Sequence, residues 1–369
     1  MNIYEDIKKE VQLGLIGRNN TIPFPIEGLE DFLEIAKNTM TVVGGATGSG
    51  KSTFTVEIFI TGLIAWYFRN KNKPDFNMKL SIMYFGMERK QVMLTAKMLS
   101  RFIFEIEGVS IVPKKILGRS KYKLTEDELA LVNKHTEIFK NWHDDDLFMC
   151  TEGSKNPTGI SKYIEDFAKR HGKIEESKVK GPLEERKYIP NHDNHLVIII
   201  TDHLAILKSE KDETGQKKNR LDKFSQTMRL ARDLYGYSPV IVQQLNRGIS
   251  DINRLKLGDI IPKLSDFADT SDTQNDSDVV IALLDPWRVL GNDADEDVMR
   301  YKLRQLRDEK GKKYYRSMHI LKNTYGTDGI SIPLAFHPVF GIFKKMPKIA
   351  SEMTVEDYNS ITSEEYFLS

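Results

Sequence analysis

The stretch MTVVGGATGSGKST, residues 40–53, constrains this chain more than any other. An apolar run leads into a glycine-rich turn, and the turn opens a segment with helical character. Gly45, Gly50, Lys51 and Ser52 satisfy the pattern G-x-x-x-x-G-K-[ST]. Glycines let the backbone curl until successive N–H groups face one point, and the start of a helix adds its partial positive charge. The loop Gly45, Ala46, Thr47, Gly48, Ser49, Gly50, Lys51, Ser52, Thr53 is therefore expected to cradle the phosphates of a nucleotide. In that reading Lys51 meets the β and γ oxygens and the Ser52 hydroxyl ligates magnesium.

Such a loop belongs at the carboxyl edge of a sheet, and the rest of the chain supplies one. The runs MTVVGG, LSIMYF, HLVIII, SPVIVQ and SDVVIALL have the unbroken apolar character of parallel strands buried on both faces. Between them lie STFTVEIFITGLIAWYF, KQVMLTAKMLSRF and RLDKFSQTMRLARDLYG, which suit helices. Strand and helix in alternation predict an α/β fold with both sheet faces covered. From about residue 299 the texture changes. MRYKLRQL, KYYRSMHILKN and GISIPLAFHP read as antiparallel strands, joined by hairpins and added to one sheet edge. The polar segment 173–195 reads as a surface insertion, with HDNH (His192 to His195) a solvated loop within it, and WHDDDLF reads as a turn.

Composition narrows the setting. A chain of 369 residues, 40% of them apolar, can bury a full core. Its formal charge of +1 excludes a whole-molecule field that draws it onto nucleic acid, so any such binding falls to local basic patches. Cys150 stands alone, which excludes an internal disulfide framework and fits a reducing cytosol; it reads as a small buried hydrophobe. The amino terminus MNIYEDIKKE has no apolar signal core, and VEIFITGLIAWYF is too short to span a bilayer and carries Glu57. The expectation is a cytoplasmic protein with no membrane contact.

Three further side chains belong at the same edge as the loop. Asp202 ends the strand HLVIII after Thr201, from where a carboxylate reaches the magnesium shell. Glu88 follows LSIMYFGM at the end of another central strand, where it can orient or deprotonate water. Gln244 ends SPVIVQQ and is a candidate sensor of the γ-phosphate.

These blocks, in this order, resemble the RecA-type motor domain of replicative DNA helicases of the DnaB type. YFGMER is similar to the family's F-S-L-E-M block at Glu88, IITDHLAIL to D-Y-L-x-L at Asp202, and VIVQQLNRG to S-Q-L-N-R at Gln244 and Arg247. LSDFADTSDTQNDSDVVIAL follows L-S-D-L-R-E-S-G-x-I-E-Q-D-A-D without a gap, keeping Asp266, Asp276 and Asp278. ILKNTYGTDG resembles the K-x-R-x-G-x-x-G hairpin, keeping Lys322, Gly326 and Gly329. The likeness spans roughly residues 25–345. It implies a RecA-like P-loop NTPase core with a mostly parallel sheet, helices on both faces and antiparallel strands at the C-terminal edge. It also implies ATP and Mg2+ at an interface between copies, a homo-oligomeric ring of six, and movement on single-stranded DNA during replication. Lys51, Glu88 and Gln244 would come from one copy and Lys322 from the next.

The departures matter as much. Thr324 stands where the family's hairpin carries the arginine that enters the neighbour's site, and such an arginine is worth about 10³–10⁵ in rate. Arg316 and Arg304 lie in the right region to replace it. Ala268 replaces the arginine of the D-L-R-E-S-G loop. Only about 25 residues stand in the place of the family's N-terminal scaffold domain, an economy that suggests a virus or mobile element as source. Within them Ile3, Ile7 and Val11 recur every four residues, so residues 3–13 read as an amphipathic helix like the family's linker helix, which docks on the next copy. Packing on its own domain is equally open.

In a ring the loops after the Asp202 and Gln244 strands face the channel. Their cations are Lys211, Lys217, Lys218 and Arg220 in the first, and Arg247, Arg254 and Lys256 in the second. Few aromatics are interleaved, so contact with the phosphate backbone is expected rather than base stacking. The chain thus divides into a linker-like segment, 1–24, an ATPase unit, 25–347, and an acidic tail, 348–369, expected to be disordered or a hook for a primase, polymerase or single-strand-binding partner. Two other readings stay open: a helicase-derived ATP-binding assembly or loader protein that hardly unwinds, and a recombinase of the RecA type.

Overall fold

Leu196, Ile198 and Ile200 face one side of their strand and Val197 and Ile199 the other, and all five are fully buried. A strand apolar on both sides needs cover on both sides. The computed structural model provides it. It describes residues 3–15, 21–87, 91–119, 121, 123–151, 156–176, 186–202, 207–208, 217–251, 254, 256–267 and 271–368.

The elements run in the order α1 (Ile3–Leu15), β1 (Thr21–Pro23), β2 (Glu34–Ala36), β3 (Thr41–Gly45) and α2 (Lys51–Val56). A π-helical segment, Glu57–Gly62, carries α2 into α3 (Leu63–Asn70). There follow β4 (Lys79–Gly86), α4 (Gln91–Glu107), α5 (Pro113–Ile116), α6 (Glu126–Asp144), β5 (Phe148–Thr151) and α7 (Pro157–His171). Next come β6 (Gly172–Glu176), β7 (Arg186–Pro190), β8 (His195–Asp202), α8 (Lys217–Asp233), β9 (Ser238–Gln244) and β10 (Val279–Leu284). The last strands are β11 (Tyr315–Asn323), β12 (Ile330–Phe336) and β13 (Phe343–Lys345). The main sheet has the order β13-β12-β11-β10-β3-β9-β8-β4-β5, in which β10 through β5 are parallel and β11, β12 and β13 are antiparallel additions.

Helices α2, α3, α4 and α6 cover one face, with Phe54, Ile58, Leu94 and Trp142 in its core. Helices α7 and α8 cover the other through Ile160, Ile164, Phe167, Phe224 and Met228. The five strands expected from apolar runs are all present, and β5 is added beyond β4. Phe148 and Met149 of β5 are buried, and Trp142 before them lies in the last turn of α6, so WHDDDLF is a helix terminus and strand start rather than a free turn. Thr125 and Glu128 open α6 with a reciprocal capping box.

Three more expectations are corrected. His195 does not belong to a solvated loop: it begins β8, is buried, and its Nε2 lies 2.9 Å from Ser81 Oγ. Burial drives its pKa down to about 3, so it stays neutral. MRYKLRQL is not a strand; it forms turns with a single bridge, Glu296↔Lys302, that bury Tyr301, Leu303 and Leu306. The acidic tail is folded. Helices Val355–Ile361 and Glu365–Leu368 bury Tyr358, Ile361 and Phe367 against Trp287, Tyr314 and Phe340, and Thr354 and Asp357 form a second capping box. Helix α1 goes the other way: Ile7, Val11 and Leu15 are all more than half exposed among the described residues.

The buried tail yields a stability test. Tyr358→Ala removes a ring that is 1% exposed and whose hydroxyl accepts from the Lys302 amide at 3.2 Å. It is expected to cost about 3 kcal/mol in urea unfolding at unchanged m-value, whereas a loosely attached tail gives a change within about 0.5 kcal/mol.

Candidate nucleotide site

Strand β3 ends in two glycines that have no room to be anything else. A Cβ on Gly44 would lie 2.3 Å from two ring carbons of Phe267, and one on Gly45 would lie 2.3 Å from Ser49 Oγ. The chain then turns through Gly48 at φ +77° and Gly50 at φ +101°, left-handed values that glycine adopts without steric cost. The Ser49 N–H donates to the Ala46 carbonyl at 3.1 Å and closes the turn. Gly50, in the left-handed conformation, caps α2 and supplies no side-chain acceptor for the first N–H groups of the helix. Lys51 is buried, and its Nζ folds back 3.5 Å from the Ala46 carbonyl.

The neighbouring strands bring oxygen and amide groups to the same edge. Asp202, buried at the end of β8, accepts from Ser52 Oγ at 3.0 Å through Oδ1 and from the Tyr84 hydroxyl at 2.8 Å through Oδ2. Ser52 and Asp202 are hard oxygen donors, and neighbouring ligands around an octahedral magnesium at 2.0–2.1 Å stand about 2.9 Å apart. The pair fits that ion. Gln244, at the end of β9, donates through Nε2 to Thr47 Oγ1 in the loop. The Met87 amide donates to the Asp202 carbonyl and draws the end of β4 alongside. Glu88 lies outside the described residues.

On the other flank of β3 stands Arg316, which the sequence offered only as a substitute for the finger arginine. Arg316 of β11 is buried and donates through Nε to the Ser49 carbonyl at 2.9 Å, while its Nη2 lies 3.2 Å from Asp285 Oδ2. Burial lowers its pKa against the opposing pull of Asp285. Arg316 therefore serves its own loop and is not offered to a neighbour. Arg304 is exposed beside Asp295. Nothing in the local sequence marks Arg316, because its partners come from residues 49 and 285.

Lys322 is on the opposite edge. Its backbone pairs with Val280, near the start of β10, and its Nζ donates to the carbonyls of Gln274 and Asn275 at 3.3 and 3.1 Å. The glycine-rich loop leaves the sheet beside Leu283, roughly 10 Å further along at 3.3 Å per residue. Thr324 Oγ1 donates to the Asp278 carbonyl at 3.0 Å. Asp278 and Asp266 are structural ties: Asp278 Oδ2 accepts from the Met40 amide, and Asp266 from the Lys263 amide and Arg254.

The basic loop residues fall into distinct roles. Lys211 is outside the described residues. Lys217 and Lys218 open α8, and Arg247 opens a 3₁₀ turn that Asn246 caps. Arg220 donates to the Leu207 carbonyl at 2.9 Å. Arg254 reaches Asp266 Oδ1 at 2.7 Å and the carbonyls of Asp259 and Ile261 at 3.1 and 3.0 Å, so it braces its own loop. Lys256 is exposed.

A family model for the DnaB-like helicase C terminal domain matches residues 26–345. No curated protein matches the chain. Among solved structures, an ATPase domain superposes with a TM-score of 0.56 at 14% identity, covering 84% of this chain and 85% of that one. A DnaB-like replicative helicase, solved with attention to its interactions with primase, gives a TM-score of 0.55 at 14% identity over 83% of this chain. The match spans 58% of that protein's length. At such identities the likeness is one of fold: a RecA-like α/β core with a large, mostly parallel sheet.

The Arg254 brace is open to test. Arg254→Leu leaves Asp266, which is nearly buried, without its cation, and is expected to destabilise the loop locally by about 2–3 kcal/mol. Hydrogen exchange should show faster exchange for the amides of residues 256–267 and little change in β3 or β8; unchanged protection across that loop means the brace carries nothing.

Proposed function

The chain belongs to the DnaB-like helicase C-terminal domain family, and on that footing we propose that it is an ATP-dependent motor whose copies close into a ring and translocate on single-stranded DNA. One observation carries the reading: the phosphate loop and the Lys322 hairpin occupy opposite edges of one sheet. A single chain cannot bring them together. A second copy, turned so that its hairpin edge meets the first copy's phosphate edge, can, and repetition of that head-to-tail contact, with a rotation that closes, makes the ring of this reading.

In this reading residues 25–347 are the motor unit. Gly45 through Thr53 hold the phosphates, and Lys51 swings from the Ala46 carbonyl to the β and γ oxygens. Ser52 and Asp202 hold magnesium, which when bound offsets charge on those oxygens. Glu88 takes the proton of the attacking water. Gln244, already in contact with the loop through Thr47, responds to the γ-phosphate, and Lys322 of the next copy lends a point charge. Lys211, Lys217, Lys218, Arg220, Arg247, Arg254 and Lys256 make up the strand-facing set, with Arg254 acting through loop shape and the exposed Lys256 through direct contact. Helix α1 supplies a ring contact. Its exposed Ile7 and Val11 match the apolar groove between α3, α4 and α6, lined by Ile64, Phe68, Phe102, Ile106 and Trp142. A primase is the first protein partner to test, since a fold neighbour was solved for that interaction.

Thr324 favours a second reading, an assembly or loader protein that binds ATP and hardly unwinds, because a hydroxyl cannot replace an arginine's charge. ATP-dependent displacement of a strand from a forked substrate rejects it.

Lys51→Ala is expected to lower ATP turnover by about 10²–10³-fold. Glu88→Gln should lower it by about 10²–10⁴-fold while retaining bound ATP. Turnover assays and retention of labelled ATP on the isolated protein measure both. A Glu88→Gln variant that hydrolyses at the normal rate removes the base assignment. Protein that stays monomeric by sedimentation with saturating ATP, magnesium and oligonucleotide removes the motor.

A further inference from the structure

Asp285 follows β10 at the phosphate edge, is 4% exposed, and lies between two guanidiniums. Arg316 stands one residue beyond the last β10–β11 pair, Leu284↔Ser317, and puts Nη2 3.2 Å from Asp285 Oδ2. Arg288, in the short helix Pro286–Leu290, puts Nε 3.7 Å from the same oxygen. Both arginines touch the phosphate loop. Arg316 Nε donates to the Ser49 carbonyl at 2.9 Å. A Cβ on Gly48 would fall 2.3 Å from Arg288 Nη2 and 2.5 Å from its Cζ, so the guanidinium fills the space that glycine leaves there.

We propose that Asp285 assembles Arg316 and Arg288 into a clamp on the phosphate loop, in which Arg316 sets a loop peptide's direction and Arg288 binds the nucleotide's inner phosphates. The proposal rests on the nucleotide reading of the loop. For Arg316 the reason is peptide geometry. Carbonyl and following N–H point opposite ways across a trans peptide, so a Ser49 carbonyl held toward Arg316 turns the Gly50 N–H away from it, into the hollow of the loop. Arg316 has no freedom to let go: Nη1 is bound to the Tyr315 carbonyl and its guanidinium lies 4.6 Å over the Phe336 ring. For Arg288 the reason is charge and place. Two guanidiniums face one carboxylate, which leaves a positive surplus, and the Arg288 side chain is 51% exposed. β10 flanks β3 on one side, while Gln244 and Asp202 come from strands on the other. The γ-phosphate is handled on that far side, so the Arg288 flank meets the phosphates that ATP and ADP share.

The test is titration of the full-length chain with fluorescent ATP and ADP analogues, using Arg288→Ala, Arg288→Lys, Arg316→Lys and Lys51→Ala. Arg288→Ala should weaken both nucleotides about tenfold, with Tm unchanged, KM raised and kcat within about threefold; Arg288→Lys should recover part of the loss. Arg316→Lys keeps the charge and loses the fork, and should weaken both nucleotides as well. Normal binding by Arg288→Ala while Lys51→Ala has lost it overturns the clamp and spares the functional reading. Weakening confined to ATP, or a fall in Tm with Arg288→Ala, also overturns it. Normal binding by Lys51→Ala overturns clamp and functional reading together.

Discussion

Six strands run the same way through the middle of this sheet, so six carboxyl ends open on one edge. The meeting of Gly45, Ser52, Asp202 and Gln244 follows from that alignment. In register, β3 delivers Gly45, β9 delivers Gln244 beside it, β8 delivers Asp202, and β4 delivers Gly86 opposite Asp202. Neighbouring strands lie about 4.8 Å apart. A loop, an amide and a carboxylate from residues far apart in sequence therefore meet within the span of a triphosphate. The Ser52–Asp202 hydrogen bond links residues 150 positions apart, and it exists because both are carried to the same row.

The antiparallel strands have a different consequence. Because β11 returns beside β10, its far end reaches the amino edge, where Lys322 and Thr324 are tied to the carbonyls of residues 274, 275 and 278. Its near end keeps Arg316 at the carboxyl edge. One strand thus spans the sheet with a buried arginine at one end and an exposed hairpin at the other. Within one chain the start of the hairpin serves structure, and its tip, residues 324–329, is exposed.

Much of this was legible in the sequence, for particular reasons. The long central strands are apolar on both faces, so unbroken runs betrayed them. The glycine-rich loop follows a composition rule that few other loops share. What escaped was short or depended on distant partners. β5 has only four residues, including Cys150 and Thr151, and follows a run of aspartates. The tail looked solvated because it is acidic, yet Tyr358, Ile361 and Phe367 fit a surface built by Trp287, Tyr314 and Phe340. Arg254 looked like a free loop cation until Asp266 came within 2.7 Å of it. Pairings of that kind leave no local mark.

The ring of Phe267 pressed on Gly44 has a mechanical meaning. Phe267 ends the stretch that begins with Arg247, and Gly44 belongs to the strand that carries the phosphate loop. Packed interiors yield little to compression. At Gly44 the two segments therefore meet with no slack between them, and a larger side chain there would have to displace the ring.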